Sequence, residues 1–124
     1  MILDSNIVIY ASRAENAFLH PLIGSPPVSV SVISFVEVLG YPALTAEEVT
    51  FLEGFFSKVL VRPVTNSIID RAIRLRQQRR MKLGDSLIAA TALDFYHPLV
   101  TRDTDDFAWI PGLKLINPFA PPST

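Results

Sequence analysis

Short apolar runs that alternate with helical patterns are the feature that most constrains this chain. Residues 1–3, 28–30, 59–61 and 99–101 form such runs, and residues 113–116 form a fifth. Strands that alternate with helices are typical of an α/β fold, and apolar strands are expected where helices cover both faces of a sheet. We therefore expect one three-layer α/β domain over residues 1–116, with a mostly parallel sheet of four to five short strands flanked by helices.

The helices between these runs have start signals and apolar faces. A helix is predicted over residues 32–39, and Thr45 and Glu48 have the spacing of a capping box that opens a second, amphipathic helix. Thr65 is expected to cap a third helix. Gly84 precedes a fourth helix, over residues 85–95, that is rich in Ala and Leu. Four apolar residues of the third helix are predicted to face the core: Ile68, Ile69, Ala72 and Leu75.

The bulk composition limits the classes of protein to consider. The 124 residues suit one domain, and a hydrophobic content of 49% allows a real core. The absence of cysteine excludes disulfides and zinc–thiolate sites and fits a reducing, cytoplasmic location. No signal peptide or apolar stretch of about 20 residues is present, so we expect no membrane association. Residues 117–124 are rich in proline and are predicted to form an extended or disordered tail.

Four acidic residues fall where the predicted fold brings distant segments together. Asp4 ends the first strand, and Asp103 follows the fourth. Glu37 lies about two turns into the helix after the second strand, where a side chain tilts back toward the strand end. Asp85 begins the helix that leads into the fourth strand. Sites in parallel sheets form at the carboxyl ends of the strands, so we expect these four carboxylates to converge there.

Such a cluster needs a counter-ion. Neighbouring carboxylates raise one another's pKa and oppose folding, whereas a hard divalent cation removes this penalty. Mg²⁺ accepts few carboxylates and keeps several waters, and phosphodiester hydrolysis uses those waters and open positions. The net charge of −1 does not indicate a nucleic-acid binder by itself, so contact with a phosphate has to come from the metal or from a local basic patch.

Four motifs carry these acidic residues in a recognisable order. They are Asp4-Ser5-Asn6 after the first strand, SFVEVL at residues 34–39, KLGDSLIAATA at residues 82–92 and TRDTDDF at residues 101–107. Together they resemble a PIN-domain nuclease, and more narrowly a VapC-type toxin of a type II toxin–antitoxin pair. The resemblance covers essentially the whole chain. It implies a PIN fold, cleavage of RNA supported by Mg²⁺ or Mn²⁺, a homodimer, and inhibition by a cognate antitoxin.

The resemblance also assigns roles to single residues. It implies a metal-binding and catalytic set that consists of Asp4, Glu37, Asp85 and Asp103. Relatives often carry Asn at the position of Asp103, so direct and water-mediated ligation both stay open for this residue. Asn6 is expected to orient Asp4 or a water on the metal, Thr101 to do similar supporting work, and Asp106 to match a further, more variable acidic position.

Simpler interpretations stand beside these roles. Asp85 is also suited to be a helix N-cap. Arg79, Arg80 and Lys82 belong to the one basic run of the chain, which is either a solvated helix face or a contact surface for RNA phosphates. Three aromatic residues near the acidic motifs are interpreted as core residues rather than as platforms for nucleobases: Tyr96, Phe107 and Trp109. The alternative function is a catalytically silent PIN module that binds RNA or a protein partner.

Overall fold

Five parallel strands form the centre of the computed structural model, which describes residues 1–25 and 27–120. They are β1 (Ile2–Leu3), β2 (Ser29–Ser31), β3 (Leu60–Arg62), β4 (Leu99–Val100) and β5 (Leu115–Ile116). Their order across the sheet is β3-β2-β1-β4-β5, and every neighbouring pair is parallel. The predicted α/β fold with a short-stranded parallel sheet is therefore confirmed.

Seven α-helices and one 3₁₀ segment surround the sheet in the described part of the chain. The helices are α1 (Ser5–Ala11), α2 (His20–Ile23), α3 (Val32–Leu39), α4 (Ala46–Phe56), α5 (Asn66–Gln78), α6 (Leu83–Asp94) and α7 (Thr104–Phe107), and the 3₁₀ segment is Ala14–Leu19. The predicted capping box of α4 and the predicted cap of α5 by Thr65 are both present. The sequence patterns missed α1, α2, α7 and the 3₁₀ segment.

The sheet separates two hydrophobic clusters, because successive residues of a strand point to opposite faces. Ile2 and Leu99 contribute to the cluster that α5 and α6 cover, whereas Leu3 and Val100 contribute to the cluster beneath α1, α2 and α4. All four side chains have no solvent exposure. Three layers result, with the sheet in the middle, as expected where helices cover both faces of apolar strands such as β1 and β4.

Two predictions about burial are wrong. Ile69 is 40% exposed, because the face of α5 that packs on α6 contains Ile68, Ala72 and Leu75 and leaves the adjoining row of side chains outside. Tyr96, interpreted as a core residue, is 89% exposed. It lies in the turn after α6 with a φ of 56°, a left-handed conformation that turns the chain toward β4.

Part of the predicted C-terminal tail packs against the domain. Phe119 makes edge-to-face contacts with Tyr10 and Phe18, and its ring lies 4.2 Å from the guanidinium of Arg102. Residues 121–124, which belong to the same predicted tail, lie outside the described residues. Within the described residues, every helix is too short or too polar to cross a lipid bilayer.

Candidate functional site

The strand order places a crevice between β1 and β4. The chain runs from β1 outward to β2 and β3 on one side, and then returns to β4 and β5 on the other. Ligands of parallel sheets bind at such a switch point, outside the carboxyl ends of the strands. Asp4 follows β1 and Thr101 follows β4, so both residues line this crevice.

A chain of hydrogen bonds ties the two strand ends together. The hydroxyl of Thr101 donates to Oδ2 of Asp4 at 2.8 Å and accepts the backbone N–H of Asp103 at 3.0 Å. The amide of Asn6 donates to Oδ2 of Asp103 at 3.2 Å. Asp4 and Thr101 are buried. The structure therefore brings together four residues that the sequence assigned to the site and fixes two carboxylates relative to each other.

A second set of hydrogen bonds positions Glu37. The hydroxyl of Ser5 donates to Oε1 of Glu37 at 2.7 Å, and a 2.9 Å hydrogen bond joins the hydroxyls of Ser5 and Ser34. Ser34 precedes Glu37 by one helical turn on α3, so both side chains reach the same edge of the sheet. Glu37 is exposed. Hydrogen bonding rather than burial therefore holds the carboxylate of Glu37 at the site.

Gly84 allows the carboxylate of Glu37 to approach the start of α6. A Cβ at residue 84 would lie 2.6 Å from Oε2 of Glu37, which is closer than van der Waals contact allows. The neighbouring Asp85 lies in the first turn of α6, and Lys82 is the N-cap residue. The simpler interpretation of Asp85 as the helix cap is therefore wrong. Its negative charge is favoured near the positive end of this helix dipole.

The electrostatics of the crevice are those of a crowded acidic cluster. Burial is the main cause that raises the pKa of Asp4 to about 6, and the charges of Asp85 and Asp103 contribute to this rise against the hydrogen bond from Thr101. Burial also raises the pKa of Asp85, as do the nearby charges of Asp106, Glu37 and Asp103, whereas Lys82 lowers it. Asp85 thus lies near each of the other predicted acidic residues, of which Asp106 is exposed.

This donor set fits a hard divalent cation. Its atoms are carboxylate oxygens with hydroxyl and amide neighbours, which are the ligand types that Mg²⁺ and Mn²⁺ prefer. Within residues 1–25 and 27–120, no group of three or more acidic, histidine or cysteine side chains is arranged to hold a metal ion. A cation in this crevice would therefore need waters or a phosphate to supply further ligands.

The basic residues border this acidic crevice on one side. Arg79, Arg80 and Lys82 line a cavity of about 510 Å³ together with Asp85 and Asp106. Lys82 is close enough to stabilise the ionised form of Asp85. Arg71, earlier in the same basic run, instead pairs with Asp94 at 3.0 Å. The end of the run nearest Asp85 is therefore the part placed to contact a phosphate.

No role at the site was predicted from the sequence for Ser5, Ser34 or Gly84. Each of them lies inside a motif that was singled out for its acidic residue. Ser34 and Glu37 are three residues apart on a predicted helix, which is a spacing that puts two side chains on one face. This signal was available from the sequence. The approach of Gly84 to Glu37 joins segments 47 residues apart and had no local signal.

Comparison with known protein families gives one match over most of the chain. The family model for the PIN domain matches residues 1–113. The chain belongs to the PIN-domain family. No curated protein sequence gives a significant match. The resemblance inferred from the four motifs is thereby confirmed at the level of the family.

Several experimentally determined structures share this PIN fold. A toxin–antitoxin complex from Klebsiella pneumoniae contains a chain with 32% sequence identity and a TM-score of 0.77, and the match covers 95% of this chain and 97% of that one. VapBC2 from Rickettsia felis, bound to a promoter DNA fragment, has 23% identity and a TM-score of 0.77 over 94% and 96% of the two chains. DNA-bound VapBC from Salmonella typhimurium has 21% identity and a TM-score of 0.76 over 93% and 95%.

Proposed function

We propose that this PIN domain is an endoribonuclease that depends on a divalent metal, Mg²⁺ or Mn²⁺, and hydrolyses phosphodiester bonds of RNA. The observation that carries the proposal is the acidic crevice at the switch point of the sheet. Four carboxylates from four segments influence one another there, and a divalent cation would offset the cost of their repulsion. Membership of the PIN-domain family supports the same chemistry.

The proposed roles follow from how each side chain is held. Asp4, Asp85, Asp103 and Glu37 would hold the cation. A cation in this position supplies positive charge to a phosphate and lowers the pKa of a water near it. Thr101 and Asn6 hold the carboxylates of Asp4 and Asp103, and Ser5 holds Glu37. Asp106 adds negative charge beside Asp85.

The hydrolytic step is an in-line displacement at phosphorus. The oxygen of a water forms a bond to phosphorus while the bond from phosphorus to the 3′ oxygen breaks, and the 3′ oxygen gains a proton. The products are a 5′-phosphate and a 3′-hydroxyl. Glu37 is the carboxylate that faces solvent, whereas Asp4 is buried and hydrogen-bonded, so Glu37 is the better placed to accept a proton from the attacking water.

A cleavage assay tests the proposal. Total RNA incubated with the protein and Mg²⁺ or Mn²⁺ should yield fragments with 5′-phosphates, and EDTA should stop the reaction. Asp4→Asn or Asp85→Asn should abolish cleavage without unfolding the domain, whereas Asp70→Asn, on the exposed face of α5, should not. Near-wild-type cleavage by either site variant would place the active site elsewhere. EDTA-insensitive RNA binding without cleavage would favour a catalytically silent module.

We further propose that the chain is the toxin of a toxin–antitoxin pair, that it acts in the cytoplasm and that it forms a homodimer. The support is the 32% identical chain of a toxin–antitoxin complex, which matches over nearly its whole length. Induced expression in a bacterial host should arrest growth, and Asp4→Asn should relieve the arrest at equal protein level. Growth arrest that persists in the inactive variant would separate toxicity from RNA cleavage. Light scattering of the purified protein tests the dimer.

A further inference from the structure

The cavity beside Asp85 has an aromatic wall as well as a basic rim. Its volume is about 510 Å³, and its lining includes Trp109 together with Arg79, Arg80 and Lys82. It opens next to the acidic crevice, since Asp85 and Asp106 belong to both. A pocket of this size, with one aromatic wall and several cations, is suited to a planar group attached to a phosphate.

Trp109 is fixed in place while part of its indole ring faces the cavity. One part of the ring packs against the cluster covered by α5 and α6, and the residue is only partly exposed. The indole N–H donates to the backbone oxygen of Asp106 at 3.1 Å. The guanidinium of Arg79 lies over the ring, 5.6 Å from its centre. The structure therefore presents two adjoining planar groups, an indole and a guanidinium, and nucleobases stack on both.

The three basic residues form no salt bridge in the described part of the chain, although Lys82 lies near Asp85 and the cavity lining also contains Asp105 and Asp106. All three side chains are exposed. Their positive charge is therefore available to phosphates that lead toward the acidic crevice, where the chain itself would repel an anion in the absence of metal.

We propose that this cavity is a subsite for one unpaired nucleobase next to the scissile phosphate, with the base stacked on Trp109 and the adjoining phosphates held by Arg79, Arg80 and Lys82. The inference rests on the proposed ribonuclease function and adds to it a contact with one base that is free to enter the cavity. Bases in a duplex are already stacked and paired, so they cannot enter such a pocket without being flipped out.

Trp109 is the only tryptophan in the chain, which gives the proposal a direct readout. Stacking of a base on the indole should quench its fluorescence. The experiment uses the Asp4→Asn protein with Mg²⁺, so that RNA stays intact, and three end-labelled probes: a 12-nucleotide single-stranded RNA, the same backbone with abasic sites, and the matching duplex. Anisotropy of the label measures binding, while tryptophan emission measures stacking.

The expected result is quenching by the single-stranded RNA, but not by the abasic backbone or the duplex at concentrations where anisotropy shows them bound. Binding of all three probes with equal or no quenching would reduce the cavity to a phosphate site and overturn the base subsite, while the ribonuclease proposal would stand. Absence of any RNA binding, together with absence of cleavage by the wild-type protein, would overturn both.

Variants at residue 109 supply a second, independent measurement in the active protein. Trp109→Ala should weaken affinity for the single-stranded probe by roughly 5- to 150-fold, the range for removal of one stacked base. Trp109→Phe keeps an aromatic face and should restore most of that affinity. In cleavage kinetics, the effect should appear in KM rather than kcat. Equal affinity of the Ala and Phe variants, with both shown folded by thermal melting, would contradict the stacking role.

Discussion

The fold fixes the position of Asp4, although the buried negative charge of this residue lowers the stability of the folded state. It follows a two-residue strand and occupies the N-cap position of α1, so its backbone is fixed from both sides. Its carboxylate is almost completely buried and accepts a hydrogen bond from Thr101. A buried, ionised group with acidic neighbours destabilises the folded state unless a cation or a proton neutralises it.

The pH dependence of stability in metal-free protein should reveal this cost. The pKa of Asp4 is about 6 in the folded protein and 3.8 in the unfolded reference. Between pH 3.8 and about 6, the folded state therefore binds more protons than the unfolded state. The stabilisation that comes from protonation of Asp4 is fully present below pH 3.8 and is lost as the pH rises through about 6. This difference in pKa corresponds to a free energy of unfolding that is about 3 kcal/mol lower at neutral pH than at a pH where Asp4 is protonated in both states.

Urea unfolding of EDTA-treated protein at pH 5 and pH 7.5 measures this effect. The wild type should be more stable at pH 5, and Asp4→Asn should be more stable than the wild type at pH 7.5 and show a smaller difference between the two pH values. In Asp4→Asn, a weaker dependence of stability on pH should remain, because the pKa of Asp85 is also raised, chiefly by burial. A wild type that is equally stable at both pH values would show that Asp4 is not buried in its charged form.

Gly84 supports a second prediction for a single residue. Because a Cβ there would meet the end of the Glu37 side chain, Gly84→Ala should displace that carboxylate and lower cleavage activity at least tenfold. Glu37 is exposed and the added Cβ would meet only the end of its side chain, so the domain should stay folded and its melting temperature should change little. Activity and thermal melting of the same preparation measure the two effects.

Gly54→Ala is the matched control for Gly84→Ala. Gly54 lies inside α4, and a Cβ at this position has no atom within 4 Å. The substitution should raise stability by up to about 1 kcal/mol through helix propensity and leave activity unchanged. Loss of activity in both variants would mean that Gly84 affects activity through helix flexibility rather than through the space that it leaves for the Glu37 side chain.

At the scale of elements, local signals decided which helices were predictable. The bounds of α3 and the capping box of α4 follow from residues within a few positions of each other, and both predictions are confirmed. Helix α1 was missed because Ile7, Val8 and Ile9 are β-branched and apolar, a composition typical of strands. Tertiary packing overrides that preference, since all three side chains are buried in the cluster beneath α1, α2 and α4.

The end of α5 and the start of α6 form a basic connection that should bind RNA phosphates. Arg79→Ala combined with Arg80→Ala should weaken RNA binding and lower the slope of log affinity against log salt by about 0.7 for each phosphate that the variant no longer neutralises. Binding of a single-stranded RNA across a salt titration measures this slope. Arg74→Ala is the control, because Arg74 lies on α5 shortly before this connection but outside the cavity beside Asp85.

The outcome decides between the two interpretations of the basic run. If the double variant and Arg74→Ala lower affinity equally, general charge accounts for the effect and the run is a solvated helix face. If neither variant changes affinity, RNA reaches the crevice along another path. The slope is more informative than affinity at one salt concentration, because it reflects how many phosphates the protein neutralises.

At the scale of the whole molecule, the sequence predicted that four carboxylates converge and that Asn6 and Thr101 support them, but it did not predict that Asn6 would hydrogen-bond to Asp103 or that Ser5 would hydrogen-bond to Glu37. Convergence followed from topology alone, since parallel strands bring their carboxyl ends to one edge. The strand order, with Asp4 and Thr101 at the switch point, depends on long-range pairing that no local pattern contains. The hydrogen bonds of Ser5 with Glu37 and of Asn6 with Asp103 depend on the same arrangement.

Metal binding should couple this site to the stability of the whole domain. A cation that binds only the folded state raises the free energy of unfolding by about 2.7 kcal/mol when its free concentration is 100 times Kd. For a domain of 124 residues, each kcal/mol corresponds to a rise in Tm of roughly 3–5 °C. Thermal melting in EDTA and then in Mn²⁺ up to millimolar concentration should therefore show a rise of about 10 °C.

Asp4→Asn combined with Asp103→Asn tests whether the carboxylates share one cation. Both changes preserve shape, and the new amide oxygens can still accept the hydrogen bonds from Thr101 and Asn6. Removal of two negative charges should raise the Tm in EDTA, because less repulsion remains in the folded state, and should erase most of the response to Mn²⁺. A double variant that melts lower in EDTA and still shows the full increase in Tm from Mn²⁺ would place the cation outside this crevice.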